Sequence, residues 1–127
     1  MDNNKRIAIK NAVYEKYNGQ CAYCGHYLED SFHVDHFIPK RRYKRDDCLP
    51  FHRNFKKEAG GDNFENLMPS CPSCNSCKSD LSIEEFRDRI YDRVNRVKLY
   101  SEFNIAHRYG LIIESNIRIV FHYENFI

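Results

Sequence analysis

Hydrophobic residues near the N-terminus recur at the spacing of a helix. Ile9, Val13 and Tyr17 lie four positions apart, so they fall on one face of an α-helix. Asn18 and Gly19 follow, and both residue types readily adopt the positive φ that ends many helices. The pattern therefore predicts a short amphipathic helix from about residue 6 to residue 17.

A second and longer helix is predicted in the C-terminal half. Ser82 and Glu85 have the spacing of a capping box, in which each side chain accepts a hydrogen bond from the backbone N–H of the other residue. The hydrophobic positions that follow share one helical face down to about Leu99. They are Ile83, Phe86, Ile90, Val94 and Val97.

Short strands are predicted on either side of a long polar stretch. Residues 33–38 mix apolar and polar positions, and Pro39 then removes a backbone donor. Residues 66–68 predict a second short strand, and a helix is expected to begin within residues 69–78. The stretch between the strands, residues 40–63, has weak periodicity, so we expect a long loop there.

The C-terminal end has the alternation of strands. Residues 111–114 and 117–123 flank Ser115-Asn116, a turn-prone pair. Alternate residues of the second run are apolar, which predicts one buried face. We therefore expect a C-terminal β-hairpin after the long helix, within residues 82–127. With the other elements it gives an α+β fold, arranged as one domain over residues 1–127.

The composition is that of a globular protein, with 42% hydrophobic and 30% charged residues. No apolar run approaches the roughly 20 residues that span a bilayer, so no membrane contact is expected. The first residues lack the apolar core of a secretory signal, so we expect a cytoplasmic location. Thiols stay reduced there, and the six cysteines are better explained by metal binding than by disulfides.

Positive charge is concentrated in the predicted loop. Residues 40–57 carry eight basic residues against Asp46 and Asp47, in a chain whose net charge is only +2. Such a segment is typical of contact with a polyanion, although a solvated loop has the same composition. The basic residues are Lys40, Arg41, Arg42, Lys44, Arg45, Arg53, Lys56 and Lys57.

Four of the cysteines form two C-x-x-C pairs, Cys21 with Cys24 and Cys71 with Cys74. Two thiolates three positions apart on a turn point at one ion, and two such turns complete a tetrahedron. A site closed by four thiolates is structural, because it leaves no position for water or substrate. We therefore expect a structural Zn²⁺ that contributes to the folding free energy of this small chain.

Two alternatives remain open for the cysteines. Cys74 and Cys77 form a further C-x-x-C pair, so the second pair of ligands is either Cys71 with Cys74, which we favour, or Cys74 with Cys77. An iron–sulfur cluster also uses four thiolates. In the favoured arrangement Cys48 and Cys77 are spare thiols.

A series of motifs follows the first C-x-x-C pair along the chain. They are Asp35-His36-Phe37-Ile38-Pro39, Gly60-Gly61, Asn66-Leu67 and Cys71-x-x-Cys74-Asn75-x-x-Lys78. The order of these motifs over residues 21–78 resembles the HNH endonuclease family, and the specificity of the resemblance comes from their order and combination. Residues 106–112 are also similar to the tails of small bacterial and phage HNH proteins.

The resemblance implies a ββα-metal core, in which two short strands and a helix surround one catalytic divalent ion. Carried over by position, His36 is the general base, Asp35 and Asn75 are ligands of the catalytic metal, and Asn66 steadies the loop that carries His36. Asn75 stands where the family's name has histidine, and its amide oxygen suits Mg²⁺, replaceable by Mn²⁺ or Ni²⁺. The expected nucleic-acid contacts are Lys40, Arg41, Arg42, Lys44, Arg45 and Lys78.

The resemblance also implies an activity, the hydrolysis of phosphodiester bonds in double-stranded DNA. A homodimer would place two sites on opposing strands. The main alternative is a zinc-dependent nucleic-acid-binding module without catalysis, since zinc knuckles and a basic loop suit both. What separates them is the coexistence of Asp35, His36 and Asn75, which a pure binder does not need. A protein-interaction domain would leave the basic loop unexplained.

Overall fold

The computed structural model describes residues 2–40 and 60–127. Its architecture is α+β, as the sequence predicts, with two short antiparallel strands packed among helices. Among the helices in these two ranges, none is long and apolar enough to cross a membrane. Several predicted positions lie outside the described residues, namely Arg41, Arg42, Lys44, Arg45 and Cys48.

The first helix, α1 (Asn3–Glu15), has defined signals at both ends. Asp2 caps its N-terminus, since the Asp2 carboxylate accepts a hydrogen bond from the backbone N–H of Lys5 at 2.8 Å. Its inner face places Val13 in the core, where the side chain is fully buried. The chain then turns at Asn18 and Gly19, whose φ values are 57° and 80°. These are the positive values on which the predicted stop depends.

Strands β1 (His33–His36) and β2 (Leu67–Ser70) pair antiparallel, with His36 opposite Leu67. All four positions of β2 are buried. The strand starts one residue later than predicted and continues through Pro69, which lacks a backbone donor. The ladder tolerates this proline because the Pro69 backbone faces away from β1: its carbonyl oxygen accepts a hydrogen bond from the N–H of Ala22 at 2.8 Å.

The described residues also include two shorter helices. Helix α2 (Pro72–Lys78) follows β2 after one residue and completes a ββα unit. Helix α4 (Ser101–Arg108) is an element that the sequence did not predict. None of its residues is buried, and its eight residues are fewer than the roughly 11 over which hydrophobic periodicity indicates a helix.

The long helix α3 (Ile83–Val97) confirms the predicted capping box. The Ser82 hydroxyl accepts a hydrogen bond from the backbone of Glu85 at 3.2 Å, and the Glu85 carboxylate accepts one from the backbone of Ser82 at 3.0 Å. Phe86, near the start of the helix, is 1% exposed, whereas Val97 at the end is 40% exposed. The first turns of α3 therefore pack against the core more closely than the last.

The predicted C-terminal hairpin is wrong. Residues 111–121 form no strand, and a 3₁₀ turn (His122–Phe126) follows them. Side chains of α3 bind backbone groups that a second strand would otherwise satisfy. The Tyr91 hydroxyl accepts from the N–H of Ile119 at 2.8 Å, and the Arg87 guanidinium donates to the carbonyl oxygen of Ile119. Alternation thus reflects packing against a helix here rather than pairing of strands.

The core is an aromatic cluster of Tyr23, Phe86 and Phe121, each at most 2% exposed. The Tyr23 and Phe86 rings meet edge to face with centroids 5.4 Å apart, and the Phe86 and Phe121 rings stack at 5.2 Å. Tyr23 lies within the first C-x-x-C pair, so the same cluster joins the cysteine turn, α3 and the C-terminal segment.

Candidate active site and metal centre

Local backbone geometry sets the position of each cysteine pair. Cys21 and Cys24 lie on a tight turn after α1, which closes because the N–H of Gly25 donates to the carbonyl of Cys21 at 3.0 Å. Gly25 has φ of 79°, a conformation that favours glycine. Cys71 caps the N-terminus of α2, where its Sγ accepts from the N–H of Cys74 at 3.4 Å.

The four sulfur atoms of these two pairs converge on one point. They all lie within 4.8 Å of one another, and the Sγ atoms of Cys24 and Cys71 are 3.8 Å apart. Zn–S bonds of about 2.3 Å in a tetrahedron place sulfurs about 3.8 Å apart, so the set fits a metal ion such as zinc. Cys77 is not in this cluster, and its Sγ accepts a hydrogen bond from Arg93 at 3.3 Å. The geometry favours Cys71 with Cys74 as the second pair.

Protonation within the cluster is unequal. A hydrogen bond from the Cys74 thiol, followed by backbone N–H donors, lowers the pKa of Cys21 to about 4. The same contact raises the pKa of Cys74, which is the donor. Burial raises the pKa of Cys24 to about 11. Four thiolates this close repel one another unless a cation lies among them, so metal binding here is coupled to proton release.

A separate open cleft of about 340 Å³ lies beside β1 and α2. Asp35 and His36 of β1 and Asn75 of α2 line it, so the structure brings the predicted base together with both predicted metal ligands. A larger cavity of about 470 Å³ lies beside the cysteine cluster, but the smaller cleft contains the three candidate residues. The other lining residues are Val34, Pro39, Lys40, Ser79 and Asp80.

The Asp35 carboxylate is buried and held by two donors. Its Oδ2 accepts a hydrogen bond from the Tyr23 hydroxyl at 2.5 Å and pairs with the Lys78 ammonium at 3.1 Å. Burial, and then the charge of Asp35, raise the pKa of Tyr23 well above its usual range, so the phenol keeps its proton. In the described part of the chain, no hydrogen bond occupies Oδ1. This oxygen and the Asn75 amide oxygen are the donor types that Mg²⁺ prefers, so the cleft fits a hard divalent ion.

The His36 imidazole is held from outside the cleft. Its Nε2 donates to Asp62 at 2.8 Å, and Lys40 pairs with the same carboxylate at 3.1 Å. The hydrogen bond from His36, together with that from Lys40, lowers the pKa of Asp62. A carboxylate only accepts, so Nε2 carries the hydrogen and Nδ1 has the lone pair in the neutral ring.

The Asn66 side chain fixes the segment that follows His36. Its Oδ1 accepts from the N–H of Ile38 at 2.8 Å, while its Nδ2 donates to the carbonyl oxygens of Ile38 at 3.1 Å and Gly61 at 2.9 Å. One buried amide therefore ties the end of β1 to the loop before β2.

Gly60 packs against this contact so closely that a side chain does not fit. A Cβ atom there would lie 2.1 Å from the carbonyl oxygen of Ile38 and 2.5 Å from the Nδ2 of Asn66. We expect Gly60→Ala to lower the free energy of unfolding by about 1–3 kcal/mol, measured by urea denaturation. Gly61→Ala is the matched control, because among the described residues its Cβ would meet only Asn63, at 3.4 Å. Equal stability of the two variants would contradict the packing described for Gly60.

Lys78 does not have the role that the sequence predicted. Its side chain is 0% exposed, and its Nζ donates to the carbonyl oxygen of His36 at 2.9 Å besides pairing with Asp35. A fully buried ammonium does not reach a phosphate, so the predicted nucleic-acid contact is wrong at this position. Lys40 does line the cleft and is 48% exposed.

Two residues of the site were missed from the sequence, Tyr23 and Asp62. Tyr23 stands between two predicted metal ligands, and Asp62 follows Gly60-Gly61. Proximity to a motif was the only signal at either position. Their partners are 12 and 26 residues away along the chain, and no local pattern indicates which distant side chain they contact.

The fold and site together define a ββα unit with a candidate divalent-metal cleft and a four-cysteine cluster nearby. A family model described as HNH endonuclease matches residues 51–81, which include Asn66, Asn75 and the second cysteine pair. The match confirms the resemblance drawn from the motifs. Asp35 and His36 precede the matched residues, so their assignment to the site depends on the cleft that they share with Asn75. No curated protein and no solved structure matches the chain.

Proposed function

We propose that the protein is a metal-dependent endonuclease that hydrolyses DNA phosphodiester bonds in the cleft beside β1. The observation that carries the proposal is that Asp35, His36 and Asn75 line one cleft. A nucleic-acid-binding module needs no such combination of an acid, an imidazole and an amide. The HNH family match supports nuclease activity in general, and the residues of the cleft suggest how the chain performs it.

Each residue has a distinct task in this proposal. Hydrolysis requires a base for the attacking water and positive charge near the phosphoryl and leaving oxygens. The Asp35 carboxylate and the Asn75 amide would hold Mg²⁺, which supplies that charge when bound. His36 takes the proton from water, because a neutral imidazole accepts protons near neutral pH. Asn66 keeps the backbone after His36 in place through its contacts with Ile38.

The distribution of positive charge supports the proposal that the protein binds a polyanion. Lys40 lies at the cleft, and the chain continues from it into the most basic segment of the sequence. Phosphate contacts of this kind give affinity without sequence selectivity. We propose that double-stranded DNA enters along this side, with Lys40, Arg41, Arg42, Lys44 and Arg45 contacting its backbone. A monomer would nick DNA, and a homodimer would cut both strands.

We further propose that the four-cysteine cluster holds zinc in a structural role. The distances within it suit tetrahedral thiolate coordination. Because all four positions are filled by sulfur, this ion would take no part in hydrolysis. The chain would then have two metal sites of different chemistry, a zinc site with thiolate ligands and a magnesium site with oxygen ligands.

The proposed activity is tested with supercoiled plasmid. Zinc-loaded protein should convert the plasmid to nicked or linear forms when Mg²⁺ is added, and EDTA added at the start should prevent this conversion. The ratio of nicked to linear product distinguishes a single site from a paired one. Tight DNA binding without cleavage in Mg²⁺, Mn²⁺ or Ni²⁺ would favour the alternative of a binding module.

A further inference from the structure

A buried polar cluster links the first cysteine turn to the cleft. It consists of three residues, Tyr23, Asp35 and Lys78, which are 2%, 7% and 0% exposed, respectively. The phenol and the ammonium both bind the same carboxylate oxygen, Oδ2, at 2.5 Å and 3.1 Å. The ammonium also donates to the carbonyl oxygen of His36 at 2.9 Å. The cluster therefore includes the aspartate of the Asp-His pair and also binds the backbone of the histidine.

Burial makes this arrangement costly unless each charged group is bound. A lysine and an aspartate removed from water lose hydration that their mutual attraction only partly replaces. The Tyr23 hydroxyl and the His36 carbonyl supply the additional hydrogen bonds, and the Tyr23 ring lies 5.9 Å from the Lys78 ammonium. Two donors on a single oxygen also restrict the orientation of the carboxylate, since rotation would break both contacts.

The turn and the helix that carry Tyr23 and Lys78 also carry proposed ligands of the two metal sites. Tyr23 lies between Cys21 and Cys24, so the turn that binds the structural ion also sets the position of the phenol. Lys78 and Asn75 are three residues apart on α2 and therefore share one side of the helix. Helix α2 thus carries both a proposed cation ligand that lines the cleft, Asn75, and the buried lysine that binds the other proposed ligand, Asp35.

We propose that Tyr23 is a positioning residue for the catalytic metal site, and that with Lys78 it holds Asp35 so that Oδ1 alone is presented to the cation. The inference rests on the proposed function. It adds that the turn between Cys21 and Cys24 acts on the Asp35 ligand through the Tyr23 hydroxyl group. The cation then has one oxygen from Asp35 as its ligand, and the orientation of that oxygen depends on the turn between Cys21 and Cys24.

The test is Tyr23→Phe, which removes the hydroxyl but keeps the ring in the aromatic core. We expect Mn²⁺ affinity, measured by electron paramagnetic resonance on zinc-loaded protein without DNA, to fall about tenfold, as is usual when a residue that orients a metal ligand is lost. Zinc content should be unchanged. Plasmid cleavage should shift to higher Mg²⁺ concentration and recover at saturation. A residue with a purely structural role would lower the melting temperature without shifting this metal dependence.

Tyr123→Phe is the matched control, because its ring packs beside Tyr23 with centroids 6.4 Å apart. It should bind Mn²⁺ as the wild type does. In an Asp35→Ala background, Tyr23→Phe should have no further effect on Mn²⁺ affinity, since the hydroxyl acts through Asp35. Wild-type Mn²⁺ affinity in folded, zinc-loaded Tyr23→Phe would overturn the proposal and leave the nuclease assignment intact. Loss of zinc together with Mn²⁺ would also overturn it, in favour of a structural role.

Discussion

His36→Ala is expected to abolish detectable plasmid cleavage. Assistance by a general base is worth on the order of 10²- to 10⁴-fold in rate, and alanine has no group that accepts a proton. The His36 side chain is 27% exposed, and its described hydrogen bond is to Asp62, which is itself exposed. Folding should therefore change little. Cleavage is measured as the single-turnover rate of nicking in Mg²⁺.

His33→Ala is the control for this variant, because His33 lies on the same strand but outside the residues that line the cleft. Its cleavage rate, zinc content and melting temperature should match those of the wild type. His36→Ala should keep the zinc and the affinity for DNA. If His36→Ala nicks plasmid at the wild-type rate, then the base is another group and the assignment of His36 is wrong.

Cys21→Ser should destabilise the whole fold. Structural zinc contributes on the order of 10 kcal/mol in small zinc-dependent folds, so the loss of one of four ligands is expected to cost about 3 kcal/mol or more. Cys21 is fully buried beside the aromatic core, so the damage should spread to Tyr23 and α3. The measurements are zinc content by elemental analysis and thermal unfolding followed by circular dichroism.

Cys77→Ser is the appropriate comparison, since Cys77 is a cysteine of the described chain that lies outside the sulfur cluster. It should retain zinc and melt within a few degrees of the wild type. Chelation of the wild-type protein should reproduce the loss of structure seen in Cys21→Ser. Two results together would show that the cluster is not a structural metal site. The Cys21→Ser protein would melt like the wild type, and the purified wild type would carry no zinc.

Features encoded in short segments could be predicted from the sequence. The cysteine pairs have a spacing of three residues, and the capping box of Ser82 and Glu85 has the same spacing, so each depends on only one turn of backbone. The resemblance to HNH proteins supplied Asp35, His36 and Asn75, which the fold then brings to one cleft. Local geometry and motif order were sufficient for these features.

Features that depend on long-range packing could not be predicted. Lys78 has the sequence context of an exposed residue at the end of a helix, yet the fold buries it against Asp35, which is 43 positions earlier. The C-terminal alternation indicated a hairpin, because the sequence does not show that Tyr91 and Arg87 would bind the backbone at Ile119. In both cases a residue far away along the chain provides the hydrogen-bond partner. The local sequence pattern instead indicated solvent as the partner of Lys78 and a second strand as the partner of the backbone at Ile119.

The most direct test of the central claim is the rate of plasmid nicking as a function of Mg²⁺ and Mn²⁺ concentration for the wild type, Asp35→Ala and His36→Ala. We expect the wild type to nick in Mg²⁺. Asp35→Ala should be inactive at low cation concentration and partly recover as the concentration rises, because it lacks a ligand. His36→Ala should stay inactive throughout, since added cation does not replace a proton acceptor. A folded, zinc-loaded wild type that binds DNA but leaves the plasmid intact at every concentration would contradict the claim.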